Sequence, residues 1–122
     1  ASLTIDASSH VTIDAAQSML NDETPIVDVY GRLNNNGVIH FSGDLSGGTG
    51  VYVGLDSNLT NNGNITFDSA NTTSYSIFCD TGVNIHGSGS ICAMNKVAGS
   101  LCAGCSFSTP SMCSSAYCPT PT

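Results

Sequence analysis

The chain has 122 residues, 40% of them hydrophobic, and sets nine acidic side chains against two basic ones for a net charge of −7. Arg32 and Lys96 make no basic patch, so nucleic acid and anionic membrane surfaces are poor partners. No apolar run approaches the roughly 18 residues of a spanning helix, and the length is that of one domain.

In chain order, residues 3 to 7 (LTIDA) and 11 to 15 (VTIDA) read as strands. Residues 15 to 21 are the best helical candidate, one or two turns ending near Pro25. Residues 33 to 41, LNNNGVIHF, then return 26 residues later as LTNNGNITF, residues 59 to 67. At that offset Ile13, Ile39, Ile65 and Ile91 share one position, Leu33 aligns with Leu59 and Ile85, and Phe41 with Phe67. Val27 aligns with Val53 and Cys79, Val29 with Leu55, and Gly37, Gly63 and Gly89 mark a common turn. Within each unit Ile and Phe alternate with Val/Asn and His/Thr, the period of a half-buried strand. Gly, Asn, Asp and Ser clusters between these runs supply turns.

Strands repeated once per 26 residues, with no helix long enough for a crossover, predict an all-β fold. The expected form is a parallel β-solenoid of about four coils over residues 1 to 93, with equivalent side chains stacked about 4.8 Å apart. Asn35 would then sit over Asn61 and Asn36 over Asn62, as amide ladders or as ordinary exposed turn residues.

The L-x-N-x-G-x-I-x-F phrase resembles the degenerate repeats of right-handed parallel β-helix proteins, including haemagglutinin-type adhesins and the pectin-lyase-like superfamily. The resemblance covers about residues 11 to 93 and is one of repeat grammar. It implies a right-handed β-helix. The family's proteins usually have many more coils, and its bacterial adhesins seldom carry six cysteines.

Three N-x-S/T sequons begin at Asn58, Asn64 and Asn71. If Leu59, Ile65 and Phe67 point inward, alternation sends Asn58 and Asn64 outward, where a glycan fits. All six cysteines, Cys79, Cys92, Cys102, Cys105, Cys113 and Cys118, lie in the C-terminal part. An even number crowded there reads as a disulfide framework of open pairing. Cys79 falls on an inward position and Cys92 on an outward one, which makes Cys92 the expected bridge from the last coil to the tail. Zinc is the competing reading of Cys102 and Cys105, but no second C-x-x-C or nearby histidine completes a site. Residues 94 to 118 are therefore expected to form a Cys-rich cap, and residues 119 to 122 a Pro/Thr tail or the start of an O-glycosylated linker. These features, and a first residue that is Ala rather than Met, point to a secreted or cell-surface chain.

No catalytic constellation is legible. Asp44, Asp56, Asp68 and Asp80 recur every twelve residues and so drift around a 26-residue coil instead of lining up. His10, His40 and His86 share no frame position, and Arg32 and Lys96 do not stack. A paired-carboxylate hydrolase or a calcium site built on two aspartates needs them adjacent. The outward columns Thr12, Val38, Asn64, Ser90 and Asp14, His40, Thr66, Cys92 contain no threonine ladder of the ice-binding kind.

What remains is the ends. A solenoid exposes an unpaired strand edge at each end, and the strand-like N-terminus has no evident cap. The expected function is structural: a glycosylated protomer, neither enzyme nor cofactor protein, that stacks head to tail with itself into extracellular or cell-surface filaments. A glycan- or receptor-binding adhesin module using Tyr30, His40 and Tyr52 is the alternative. It ranks lower because Tyr30 and Tyr52, 22 residues apart, do not stack in the frame. A carbohydrate-active β-helix enzyme fragment comes third.

Overall fold

The computed structural model describes residues 2–14, 25–45, 49–68, 75–80, 83–93, 102–103 and 106–107. Among them are thirteen strands and no helix. These are β1 (Ser2–Ile5), β2 (His10–Asp14), β3 (Val27–Val29), β4 (Arg32–Asn35), β5 (Val38–Ser42), β6 (Thr49–Val53) and β7 (Asn58–Asn61), followed by β8 (Asn64–Phe67), β9 (Tyr75–Cys79), β10 (Asn84–His86), β11 (Ser90–Ala93), β12 (Cys102–Ala103) and β13 (Ser106–Phe107). The helical candidate at residues 15 to 21 lies outside the described residues apart from its flank at Pro25.

The strands form three sheets, and the chain visits them in rotation. The first sheet runs β1-β4-β7-β10-β13, the second β2-β5-β8-β11 and the third β3-β6-β9-β12. Every pairing is parallel. Such an all-β arrangement is compatible with a parallel solenoid.

Stacking puts like residues on like. Leu33, Leu59 and Ile85 form one inward column, and Ile39, Ile65 and Ile91 another. Phe41 lies on Phe67 with ring centroids 4.6 Å apart and planes 10° from parallel. These side chains are the core, nearly all below 8% exposed. At about 25 cal/mol per Å² of apolar surface removed from water, this burial is the main stabilising term.

The 26-residue frame holds from β4 to β11 and fails outside it, which corrects several expected alignments. Ile13 pairs with Phe41, not Ile39, because the connection from β2 to β3 is longer than its later counterpart by more than the turn from β3 to β4 is shorter. Val27 pairs with Val51, and Val29 with Val53, which in turn pairs with Cys79; Leu55 is instead a turn residue, 65% exposed. On the outer face Thr12 lies beside His40, followed by Thr66 and Cys92, so the two threonines are still separated. Pairing also continues past residue 93, where β12 adds to β9 and β13 to β10, at shorter offsets that a fixed frame misses. The first sheet thus has five strands rather than four.

Glycine is required where layers touch most closely. A Cβ at Gly63 would lie 2.0 Å from the Gly37 carbonyl oxygen, and one at Gly89 2.1 Å from that of Gly63. No side chain fits there, which is why the turn glycine recurs in each unit.

Candidate functional site

Two features of the molecule bear on function: the ends of the sheets and their outer faces. Among the described residues β1, β2 and β3 are the outermost strands of their sheets at one end, and β13, β11 and β12 at the other. A strand in that position offers one row of backbone donors and acceptors to a further strand. The apolar columns are also open at the first end. Leu3 is 58% exposed, whereas Leu33, Leu59 and Ile85 beneath it are at 7%, 0% and 0%. Ile5, Val11, Ile13 and Val27 are half-buried in the same outer layer. An apolar cavity of about 90 Å³ lies among these side chains and reaches down to Leu59 and Ile65.

Between the first and second sheets the turn is held by amides. Asn35 and Asn61 are completely buried. The Asn35 Nδ2 donates to Asn61 Oδ1 at 2.9 Å and to the Asn64 carbonyl at 3.2 Å, while the Gly37 N–H donates to Asn35 Oδ1 at 3.2 Å. The Asn61 Nδ2 donates to the Ser90 carbonyl at 3.0 Å, so the ladder passes from layer to layer. A second, exposed ladder runs beside it, in which Asn62 Nδ2 donates to Asn36 Oδ1 at 3.3 Å. Asn35 and Asn61 are therefore structural, not spare turn residues.

The outer faces carry the groups the sequence singled out. Asn58 opens β7 and Asn64 opens β8, both exposed. The Oδ1 of Asn64 accepts from the Ser90 hydroxyl, a contact that does not use the Nδ2 to which a glycan attaches. Asn71 lies outside the described residues. Cys79, inward at 1% exposure, and Cys92, outward and half-buried, are both disulfide-bonded. Cys102 opens β12, while Cys105, Cys113 and Cys118 fall outside the described residues.

On the third sheet Tyr52 stacks on Phe78, with ring centroids 5.9 Å apart at 18°. Its hydroxyl donates to Asp80 Oδ1, and the Leu55 N–H donates to Asp80 Oδ2 at 2.8 Å. The Tyr52 hydrogen bond, with that N–H behind it, holds the Asp80 carboxyl below its ordinary value. The same bond is the first cause that pushes the Tyr52 phenol up to about 12, followed by burial and the nearby charge of Asp80. Tyr30, 71% exposed, was expected to stand apart from Tyr52. Because Val29 pairs with Val53, it instead falls beside Gly54, where an added Cβ would meet its ring at 3.4 Å and that of Tyr52 at 3.7 Å. The aromatic cluster was hidden by the same two-residue slip that displaced Val27.

Of the four evenly spaced aspartates, Asp68 Oδ2 lies 3.0 Å from His40 Nε2 across the second sheet, and Asp56 occupies a turn at φ 63°. Among the described residues no three His, Cys, Asp or Glu side chains converge on a point that would hold a metal ion. No protein-family model, curated protein or solved structure matches the chain.

Proposed function

We propose that this chain is the subunit of an extracellular or cell-surface glycoprotein filament. It is a parallel β-solenoid of the right-handed type, stacked head to tail through its open ends. The observation that carries the reading is the contrast within one column: Leu3 at 58% exposure above Leu33 at 7%. An outer layer of apolar side chains and unpaired strand edges is what a monomer covers and an assembling subunit shares. Because the two ends differ, such a contact joins top to bottom and does not close on itself unless the rotation permits, so it grows in a line.

Secretion and glycosylation rest on the exposed sequons at Asn58 and Asn64 and on the disulfide-bonded Cys79 and Cys92, bonds that persist in oxidising compartments. In this reading the chain is not an enzyme, and its partners are itself and its glycans. Negative-stain microscopy and sedimentation of native, non-reduced material test it. Filaments with a regular axial repeat are expected; a monomer at every concentration overturns the proposal.

A second reading is favoured by one observation, the approach of the Tyr30 and Tyr52 rings to Gly54 beside the Tyr52–Phe78 stack. Grouped outward aromatics beside Asp80 suit an adhesin contact with a glycan or protein receptor. Binding on a glycan or receptor array that disappears in Tyr30→Ala supports it, and an array without hits removes it.

A further inference from the structure

The strand count carries a prediction about how two copies meet. It rests on the filament reading above and adds the geometry of the joint. The chain passes through the first, second and third sheets in fixed order, and the thirteen strands among the described residues leave one strand over after four circuits of three sheets. The outermost strands at the starting end are β1, β2 and β3, in the first, second and third sheets. At the finishing end, among the described residues, they are β11, β12 and β13, in the second, third and first. Each end is therefore a ramp, like a split washer, and the two ramps are displaced by one sheet.

Three orientations lay sheets on sheets. If the first sheet of one copy continues the first sheet of the next, β1 meets β13, but β2 and β3 face β11 and β12 across gaps one strand wide. Turning by two sheets seats β1 on β12 and β2 on β13 and leaves one gap, between β3 and β11. Turning by one sheet seats β1 on β11, β2 on β12 and β3 on β13 with none. All pairings within the chain are parallel, and this orientation keeps them so. It also seats β1 on β11, which have four residues each. Leu3 and the cavity beneath it are then closed by the Ile91 layer of the neighbouring copy.

We infer that copies of this chain join with a rotation of one third of a turn, so that β1, β2 and β3 of one add as parallel strands to β11, β12 and β13 of the next. Each subunit advances the filament by four and one-third circuits, about 21 Å at a strand spacing of about 4.8 Å, and three subunits complete an exact repeat of about 62 Å.

Helical reconstruction from electron cryo-microscopy of native, non-reduced filaments tests this. The expected symmetry is one third of a turn and about 21 Å per subunit. Filaments with no net rotation and a rise of about 24 Å overturn the joint but not the filament, and mean that two further strands stand between β13 and the next β1. An absence of filaments overturns the underlying reading instead. A Leu3→Lys variant gives a second measurement. Its subunit should keep the melting temperature of the dissociated parent and lose assembly at least tenfold in critical concentration. Unchanged assembly would remove β1 from the interface.

Discussion

Burial acts on polar residues here according to whether they find partners. Asn35 and Ser76 are both fully enclosed, yet Asn35 bonds to Asn61, Asn64 and Gly37, while the Ser76 hydroxyl has no partner among the described residues. The same truncation should therefore have opposite signs. Asn35→Ala strands the Asn61 Oδ1 and the Gly37 N–H and is expected to cost about 1–3 kcal/mol, whereas Ser76→Ala removes an unsatisfied group and should be neutral or stabilising by about 1 kcal/mol. Denaturant titration of both variants checks the contrast.

The Tyr52–Asp80 pair gives the molecule a pH signature at both extremes. Asp80 is depressed in the folded chain, so its contribution is present above the ordinary value of 3.8 and is lost as pH falls through the lower folded value. Tyr52 is raised, so its contribution is complete below 10.0 and is lost as pH rises through about 12. Tyr52→Phe should lower the melting temperature most in the middle of the range and least at its limits, which flattens both slopes of the profile. A profile that keeps both slopes would show that other groups set them.

At the scale of the element, the repeating turn is limited by backbone contact. Gly63→Ala would press a methyl group to 2.0 Å from the Gly37 oxygen, and a backbone carbonyl in a hydrogen-bonded layer has no room to retreat. A loss of about 3 kcal/mol or more is expected, at the upper end of overpacking effects. Gly54→Ala, whose nearest neighbour is a tyrosine ring at 3.4 Å, should be tolerated with less than about 1 kcal/mol lost. Thermal melts of the two variants side by side separate a glycine demanded by layer contact from one that is incidental.

The elements also show where sequence reading works. Alternation of apolar residues located β4, β5, β7 and β8 and their inward columns because each of those circuits has the same length. It misplaced Ile13, Val27 and Val29, and did not find β12 and β13. There the connections lengthen or shorten, and a change of even two residues moves the partner by a full side-chain repeat. That Tyr30 and Tyr52 both approach Gly54 was missed for the same reason.

For the whole molecule, the meaning of a core position depends on its layer. Leu3 and Leu33 are partners in one column, yet one is at 58% exposure and the other at 7%. Leu33→Ala should destabilise the isolated subunit by about 2–5 kcal/mol, as buried leucines generally do. Leu3→Ala should cost the isolated subunit less than about 1 kcal/mol and weaken assembly instead. Melting curves of the dissociated subunit together with a pelleting assay distinguish the two effects, and equal loss of stability from both would place a cover over the first layer.

The hydrogen bonds between layers run along the direction in which the sheets grow. A force applied along that direction loads the layers in series and the bonds of each layer in parallel, so strength is set by the layer with the shortest strands. Between the second and third circuits each pairing spans four residues, but β7 meets β10, β9 meets β12 and β10 meets β13 over only two each. Under tension the molecule should therefore peel from its C-terminal strands inward, and any covalent tie holding those strands would raise the breaking force of the entire thread more than any gain in its core.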